Sequence, residues 1–387
     1  MKRSTQRILT THTGSLPRPA HLRELLLARD RGEPVNESAY EAAVAEAVKA
    51  AVARQAEIGI DVVSDGEMGK YSWLWYMFER LDGFAPLETQ PYASRGTWAF
   101  GGLGEFPDLA RRTYASAGLD RPRPVMACVA PVRYANLAPV QRDIANLRAA
   151  LADVHVEDAF LPAVAPGTVA THANHYYPTE EAYLFAVADA MRVEYEAIIA
   201  AGCIVQLDEP GLVTGLNSPR FEGRLPEFRA YVARCIEALN RSVRGLPRDR
   251  VSLHVCWGNL PGPHHLDTPL ETVVDLILQA NVGSISIEAW NPRHEHEWHI
   301  WETTRLPEDI VLIPGMIDSK TNYLEHPRAI ADRLVRYAQL VGRENIVAST
   351  DCGLGSLATL SNVEPEIAWA KLASLVEGAR LASDALW

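Results

Sequence analysis

The residues most suited to chemistry are His254 and Cys256, in His254-Val-Cys256 at the end of an apolar run, Val251–Val255. Such a run reads as a buried strand. Residues two apart on a strand share a face, so an imidazole nitrogen and a thiol sulfur would reach one ion. Zinc favours this mixture of soft thiolate and imidazole in tetrahedral geometry. Cys352, in Ser349-Thr-Asp-Cys-Gly-Leu354, follows another β-rich run, and Glu288 ends Ser284-Ile-Ser-Ile-Glu288. Together, His254, Cys256, Glu288 and Cys352 would make a Cys2HisGlu shell for Zn2+. Taken singly, Cys352 also reads as a packed core thiol and Glu288 as a salt-bridged or capping group. A second histidine-rich segment, Asn291-Pro-Arg-His-Glu-His-Glu-Trp-His299, ranks lower as a metal site because it has no thiol. There, Arg293 or His294 would more naturally face an anionic substrate.

Residues this far apart in sequence meet only if the fold gathers strand ends. Nine β-rich runs are visible: Ile8–Thr11, Asp61–Ser64, Val125–Ala130, Phe160–Ala165, Cys203–Leu207, Val251–Val255, Ser284–Ile287, Val311–Pro314 and Ile346–Ser349. Helical patterns lie between many of them. Ser38-Ala-Tyr-Glu41 resembles a capping box opening a helix to Glu57. Thr179 opens another that stops at Gly202, and Glu227–Leu239 and Pro327–Leu340 look similar. Strands alternating with helices imply parallel βαβ units, and eight of them fit an α/β (β/α)8 TIM barrel. Val125–Ala130 is the surplus strand. It follows an irregular stretch, 82–124, that is read as an insertion near the barrel mouth within one catalytic domain spanning 1–387. A doubly wound sheet fits less well, because no glycine-rich dinucleotide fingerprint follows the first strand.

In a parallel barrel all strand C-termini open on one face. The polar groups that follow the apolar runs would therefore converge: His12-Thr-Gly-Ser15, Asp65-Gly-Glu67, Asp208-Glu209, His254, Cys256, Glu288, Asp318 and Asp351-Cys352. The 387 residues carry 37 Lys+Arg against 49 Asp+Glu, a net charge of −12. Such a surface repels phosphate backbones and argues against nucleic acid as a partner. No signal-peptide pattern and no membrane-length apolar stretch is seen, so no membrane partner is expected. Five scattered cysteines argue against a disulfide framework and for a cytoplasmic setting. A homo-oligomer is compatible with the sequence, which does not set its size.

With these residues in view, the sequence resembles the catalytic barrel of cobalamin-independent methionine synthase, and more closely its short single-barrel relatives. The resemblance rests on His12-Thr-Gly-Ser-Leu-Pro17, Asp65-Gly-Glu-Met68, Gln206-Leu-Asp-Glu-Pro210, His254-Val-Cys256, Ile287-Glu288, Gly315-Met-Ile-Asp318 and Asp351-Cys-Gly-Leu354. It implies zinc ligands at His254, Cys256, Glu288 and Cys352. It also implies a thiol amino acid held by Gly14, Ser15, Glu67 and Asp208. Three departures stand out. The chain holds one barrel and not two. Pro166-Gly-Thr-Val-Ala-Thr-His-Ala-Asn-His175 has no tryptophan where the family stacks its pterin. Ser319-Lys320 follows Asp318 where the family has a histidine.

The implied activity is a zinc-dependent methyltransferase that activates a small thiol, homocysteine first, for attack on a methyl donor. A free thiol is largely protonated at neutral pH, and a metal removes that proton. Glu67 and Asp208 would hold an ammonium and repel a sulfonate, which would need Arg18 or Arg293. The catalytic set is expected to be Asp208, Asp318 and His175, with His172 and Lys320 as further proton-donor candidates. The aromatic patch Tyr71–Tyr76 would cover the donor or pack as core. Alternatives are an epoxyalkane:coenzyme M transferase, a corrinoid-dependent thiol methyltransferase, a metal-free decarboxylase on the same barrel, and a non-catalytic zinc or thiol-binding protein.

Overall fold

The computed structural model describes residues 1–91, 100–360 and 362–387. Eight parallel strands form the barrel: β1 (Leu9–Thr10), β2 (Val62–Ser64), β3 (Asp158–Val164), β4 (Ile204–Asp208), β5 (Val251–Val255), β6 (Ser284–Ile287), β7 (Val311–Pro314) and β8 (Val347–Ala348). β2 to β7 pair in sequence order, and β8 pairs with β1. Bridges Leu312↔Ile346 and Gly315↔Ser349 join β7 to β8. The Asp61 N–H donates to the Thr10 carbonyl across β1 and β2, which closes the ring. Every residue of β1, β2 and β4 to β8 is buried, and so are all residues of β3 after Asp158. Burial on both faces explains why the strands read as short unbroken apolar runs.

Helices Glu37–Ile58, Ala138–Leu151, Glu180–Ala200, Leu225–Ser242, Pro327–Val341 and Pro365–Leu386 follow six of the strands. β5 is followed by short segments, the 3-10 turn Leu270–Thr272 and the four-residue Val274–Ile277, and β6 by the 3-10 segment Glu295–Glu302. Thr179 caps its helix as expected, its hydroxyl accepting from Ala182 N at 3.1 Å. Ser38 does not: Asn36 is the cap, accepting from Ala39 N at 3.0 Å. The helix starts two residues earlier than the capping-box pattern placed it, and Asn36 satisfies an orphan amide of that first turn.

Val125–Ala130 lies outside the barrel, as expected for the surplus strand. It belongs to Pro122–Tyr134, which runs antiparallel to Leu81–Pro91 from Leu81↔Tyr134 to Pro91↔Pro122. Ala173–Asn174 adds a short third strand. The insertion is therefore ordered over much of its length, contrary to the irregular reading. It contains this hairpin, a 3-10 segment at Phe100–Glu105 and the helix Pro107–Ser116, and it reaches on to Tyr134; the hairpin, with its short third strand, forms an arm outside the barrel. Residues 92–99 of the stretch lie outside the described residues. Two register shifts hid the strand pattern, between Asp82 and Phe84 and between Pro86 and Glu88. At the first, Gly83 has φ +101°, and a Cβ there would lie 2.8 Å from the Pro131 carbonyl oxygen. Bulges of this kind break period-two alternation.

His12, one of the converging polar groups, is buried against Gln55. Its Nε2 lies 2.9 Å from Gln55 Oε1, which also accepts from Ser64 N, so Nε2 carries the proton. Burial lowers its pKa from 6.5 to about 4. The unfolded chain takes up this proton near pH 6.5 and the folded chain only near 4. The associated stability is complete above 6.5 and lost as pH falls through 4. The wild type is expected to lose about 3 kcal/mol relative to His12→Gln between pH 7 and 4, measured by urea unfolding at both pH values.

Candidate metal and thiol site

His254 is the fourth residue of β5 and Cys256 immediately follows the strand. Cys352 lies four residues beyond β8. Their ligand atoms all fall within 4.8 Å of one another, and all three residues are buried. Among the described residues, no other group of three or more His, Cys, Asp or Glu side chains has this arrangement. The two sulfurs are 3.8 Å apart and share a hydrogen bond. That is the spacing of two thiolates each about 2.3 Å from one tetrahedral ion. His254 Nδ1 faces Ser286 Oγ at 3.3 Å, while its Nε2 is buried without a hydrogen-bond partner. An imidazole nitrogen in that state costs free energy unless something occupies its lone pair. The residues present therefore fit a zinc ion.

The electrostatics are already polarised. The hydrogen bond with Cys256 and the nearby His254 bring the Cys352 thiol down to about 5. The same pairing and burial push Cys256 well above its usual value. Burial opposes the His254 imidazolium, but Cys352, Asp208 and Glu288 outweigh it and raise its pKa. One thiolate thus forms readily in this setting.

A tight cavity of about 60 Å3 opens beside the sulfurs, and Gly14, Ser15, Glu67, Asp208, His254 and Asn259 are among its lining residues. The expected thiol-binding residues Gly14, Ser15, Glu67 and Asp208 are thus brought together with the three metal-capable side chains. No Arg or Lys is among the lining residues. Arg18 instead donates to the carbonyl oxygens of Gly355 and Glu67, and Arg293 to that of His265. Asp208 Oδ1 is buried without a partner. Burial, with Glu67 and Cys352 adding, raises its pKa to about 8. Glu67 sits at φ 55°, a left-handed conformation costing roughly 1–3 kcal/mol in a non-glycine residue. Asp65 Oδ1 holds its amide at 3.0 Å, and Lys70 Nζ lies 3.3 Å from Oε1. The surroundings thus impose an unfavourable backbone angle on a carboxylate aimed at the cavity.

Glu288 does not join the cluster. Its Oε2 accepts from Lys320 Nζ at 2.8 Å and from Asn291 Nδ2 at 2.7 Å, and its Oε1 from Trp257 N at 2.9 Å. Burial would raise its pKa, but Lys320 and neighbouring histidines lower it. The expected donors lie elsewhere too. Asp318 is occupied locally, accepting from Lys320 N at 3.0 Å and Thr321 Oγ1 at 2.7 Å. His175 is exposed, and its amide donates to Cys128 O on the arm sheet. The ring of His172 packs edge-on against Phe78 at 5.0 Å. None of these three, nor Lys320, lines the cavity. Asp208 alone of the expected catalytic set does.

Within the histidine-rich segment, His294 and Glu297 belong to a buried ion network, while His296 and His299 are exposed. His294 lies 3.0 Å from Asp267 and 3.2 Å from Glu297, with His264 also on Asp267 at 2.7 Å. Burial disfavours the His294 imidazolium, but Asp267 and Glu297 lift its pKa to about 9. Its ring stacks on Trp257, 3.8 Å between centroids, behind Cys256.

Several residues at the site had no motif to mark them. Trp73, Pro210, Gly258, Asn259 and Ser356 line both the thiol cavity and an adjoining, largely apolar cavity of about 110 Å3. Trp75, Leu119, Leu260 and Leu360 wall the second cavity. Of these, the two tryptophans belonged to a patch noted in the sequence and Pro210 to the Gln206–Pro210 motif; the others had no mark. Asp351 takes the amides of Ala289, Trp290 and Asn291 at 2.8–2.9 Å, tying the end of β6 to the loop that carries Cys352. Its place in the strand-end pattern and in the Asp351–Leu354 motif marked the residue but not this bracing role.

The family of cobalamin-independent synthase catalytic domains matches residues 8–102 and 142–380. The chain belongs to this family. The gap in the match, 103–141, coincides with the helix and return strand of the arm. Among similar proteins are the methionine synthases of Sulfurisphaera tokodaii, 25% identical over 97% of this chain and 93% of that protein, and of Thermococcus kodakarensis, 24% identical over 96% and 92%. A 5-methyltetrahydropteroyltriglutamate–homocysteine methyltransferase of Chelativorans is 25% identical over 96% of this chain but 42% of its own length. The B12-independent methionine synthase of Shewanella, solved with selenomethionine, superposes with a TM-score of 0.74 at 20% identity over 98% of this chain and 99% of that one. This places the fold among (β/α)8 barrels. Among the described residues no helix is long and apolar enough to cross a membrane.

Proposed function

We propose that this protein is a zinc-dependent methyltransferase that forms methionine from homocysteine and a methyl donor. The observation carrying the reading is the meeting of His254, Cys256 and Cys352 beside a cavity that two carboxylates line and no Arg or Lys lines. Those three side chains would hold the ion. When bound, zinc supplies the positive charge that strips the proton from a substrate thiol and keeps its sulfur nucleophilic at neutral pH.

The chain's own residues bind and aim. Glu67 and Asp208 receive the substrate ammonium, and Gly14 and Ser15 form the wall beside its carboxylate. Burial raises the Asp208 pKa, and an ammonium reaching it favours the carboxylate. The sulfur then displaces the donor from its methyl carbon. The S–C bond forms as the donor–carbon bond breaks, and the donor departs with the electron pair. The apolar cavity walled by Trp75, Leu119, Leu260 and Leu360 adjoins the sulfur position and keeps water from the methyl group. A sulfonate thiol such as coenzyme M is disfavoured by the same geometry, because Arg18 and Arg293 point elsewhere.

The test is methionine formation from homocysteine with a panel of donors, including methylated folates and methylcobalamin. Glu67→Gln and Asp208→Asn should each raise the homocysteine KM by about 10- to 100-fold, the worth of a charge-assisted hydrogen bond. No product from any donor, or a preference for coenzyme M over homocysteine, would refute the reading.

A further inference from the structure

The apolar cavity beside the thiol site takes the methyl donor in the reading above, and its lining restricts which donor can react there. It shares Trp73, Pro210, Gly258, Asn259 and Ser356 with the thiol cavity, so a methyl group inside it lies next to the attacking sulfur. Its volume is about 110 Å3, below the roughly 150 Å3 of a buried cavity that admits benzene. A bicyclic pterin or a corrin ring does not fit. Among the described lining residues there is no Asp, Glu, His, Cys, Tyr, Lys or Arg. The threonine hydroxyls spend their protons internally. Thr168 Oγ1 donates to Glu209 Oε1 at 2.9 Å, Thr171 Oγ1 to Thr168 O at 2.7 Å and Thr214 Oγ1 to Pro210 O at 3.0 Å. Asn259 gives its amide hydrogens to Gly353 O at 2.6 Å and Ser356 Oγ at 2.9 Å. No described group in this lining is acidic enough to protonate a leaving group.

The leaving group must therefore depart as a stable neutral molecule without receiving a proton. The amine nitrogen of a methylated folate would depart as an anion and need one. A sulfonium departs as a thioether and needs none. A quaternary ammonium also departs neutral, but an amine leaves less readily than a thioether. We propose that the methyl donor is a small methylsulfonium compound, seated with its cationic head against Trp73. This rests on the methionine-forming reading above and names its second substrate. The homocysteine thiolate attacks one methyl carbon of the sulfonium. The new S–C bond forms as the sulfonium S–C bond breaks, and the electron pair of the broken bond stays on the departing sulfur. The two charges cancel, giving methionine and a neutral thioether. The face of an indole ring attracts such a cation, and no Arg or Lys lines either cavity to repel it. Leu119, which packs with Leu260 and Leu360 in one buried cluster, comes from 103–141, the segment that the family match omits. The wall that limits the donor's size is thus partly this chain's own.

The experiment supplies the zinc-loaded full chain with homocysteine and, in separate reactions, with trimethylsulfonium, 5-methyltetrahydrofolate or methylcobalamin, and measures methionine and dimethyl sulfide. Trimethylsulfonium is expected to give the two products in equal amounts, with kcat/KM at least about 100-fold above that of either other donor. Leu119→Trp, which fills the cavity, is expected to raise the trimethylsulfonium KM by about tenfold or more. Homocysteine should still perturb the absorption of that variant loaded with Co2+ as it does the wild type. Leu360→Trp makes the same test should the first variant misfold. Methionine from the folate or the cobalamin but not from trimethylsulfonium overturns the proposal and leaves the methionine-forming reading standing. An unchanged trimethylsulfonium KM in the tryptophan variant overturns it as well. Methionine from none of the donors overturns that reading, and the proposal with it.

Discussion

Cys256→Ser and Cys352→Ser are each expected to lose the bound ion and to lower methyl transfer to homocysteine by at least about a thousandfold, with little change in circular dichroism or urea midpoint. Both sulfurs belong to a cluster spanning 4.8 Å. A hydroxyl is a poor replacement for a thiolate at a soft site. The fold should survive because Ser is nearly isosteric and both positions lie beyond their strands, where neither contributes a ladder hydrogen bond. Metal analysis of purified protein, alongside turnover, checks the result. Full activity in metal-free protein would refute the mechanism.

The second large effect concerns the arm. Arg80→Leu should destabilise the protein by about 3–5 kcal/mol, as expected when one partner of a buried ion pair is removed. Arg80 donates to Glu194 Oε1 at 2.7 Å and to Asp143 Oδ2 at 2.6 Å, and its guanidinium lies 4.4 Å from the centre of the Tyr76 ring. Glu194 is 1% exposed, so the substitution strands its charge with only the hydroxyls of Tyr76 and Tyr134. Arg80 directly precedes the outgoing arm strand and Tyr134 ends the return strand. The network therefore anchors the arm's root to the helices Glu180–Ala200 and Ala138–Leu151. In urea unfolding, Arg80→Leu/Glu194→Leu should be more stable than Arg80→Leu alone. A double variant no more stable than the single one would show that the ion pair is not the source of the loss.

Strand existence was legible because barrel strands are buried on both faces and read as apolar runs ended by polar residues. The hairpin was not, because its prolines and bulges erase the alternation by which strands are read. The expected donors show another limit. His175 and Asp318 follow runs that seem equivalent in sequence, yet His175 continues into the arm sheet and Asp318 closes its own turn. A strand end sets which rim of the barrel a residue occupies, not where its side chain turns.

By itself, the sequence determined the donor chemistry: which nitrogen, sulfur and carboxylate groups stand at the strand ends of an α/β barrel. Those properties follow from residue type and from periodicities of a few residues. The tertiary structure alone decided that three of those groups meet while Glu288 is turned aside to Lys320. That pairing joins residues 32 positions apart, and no local pattern encodes it.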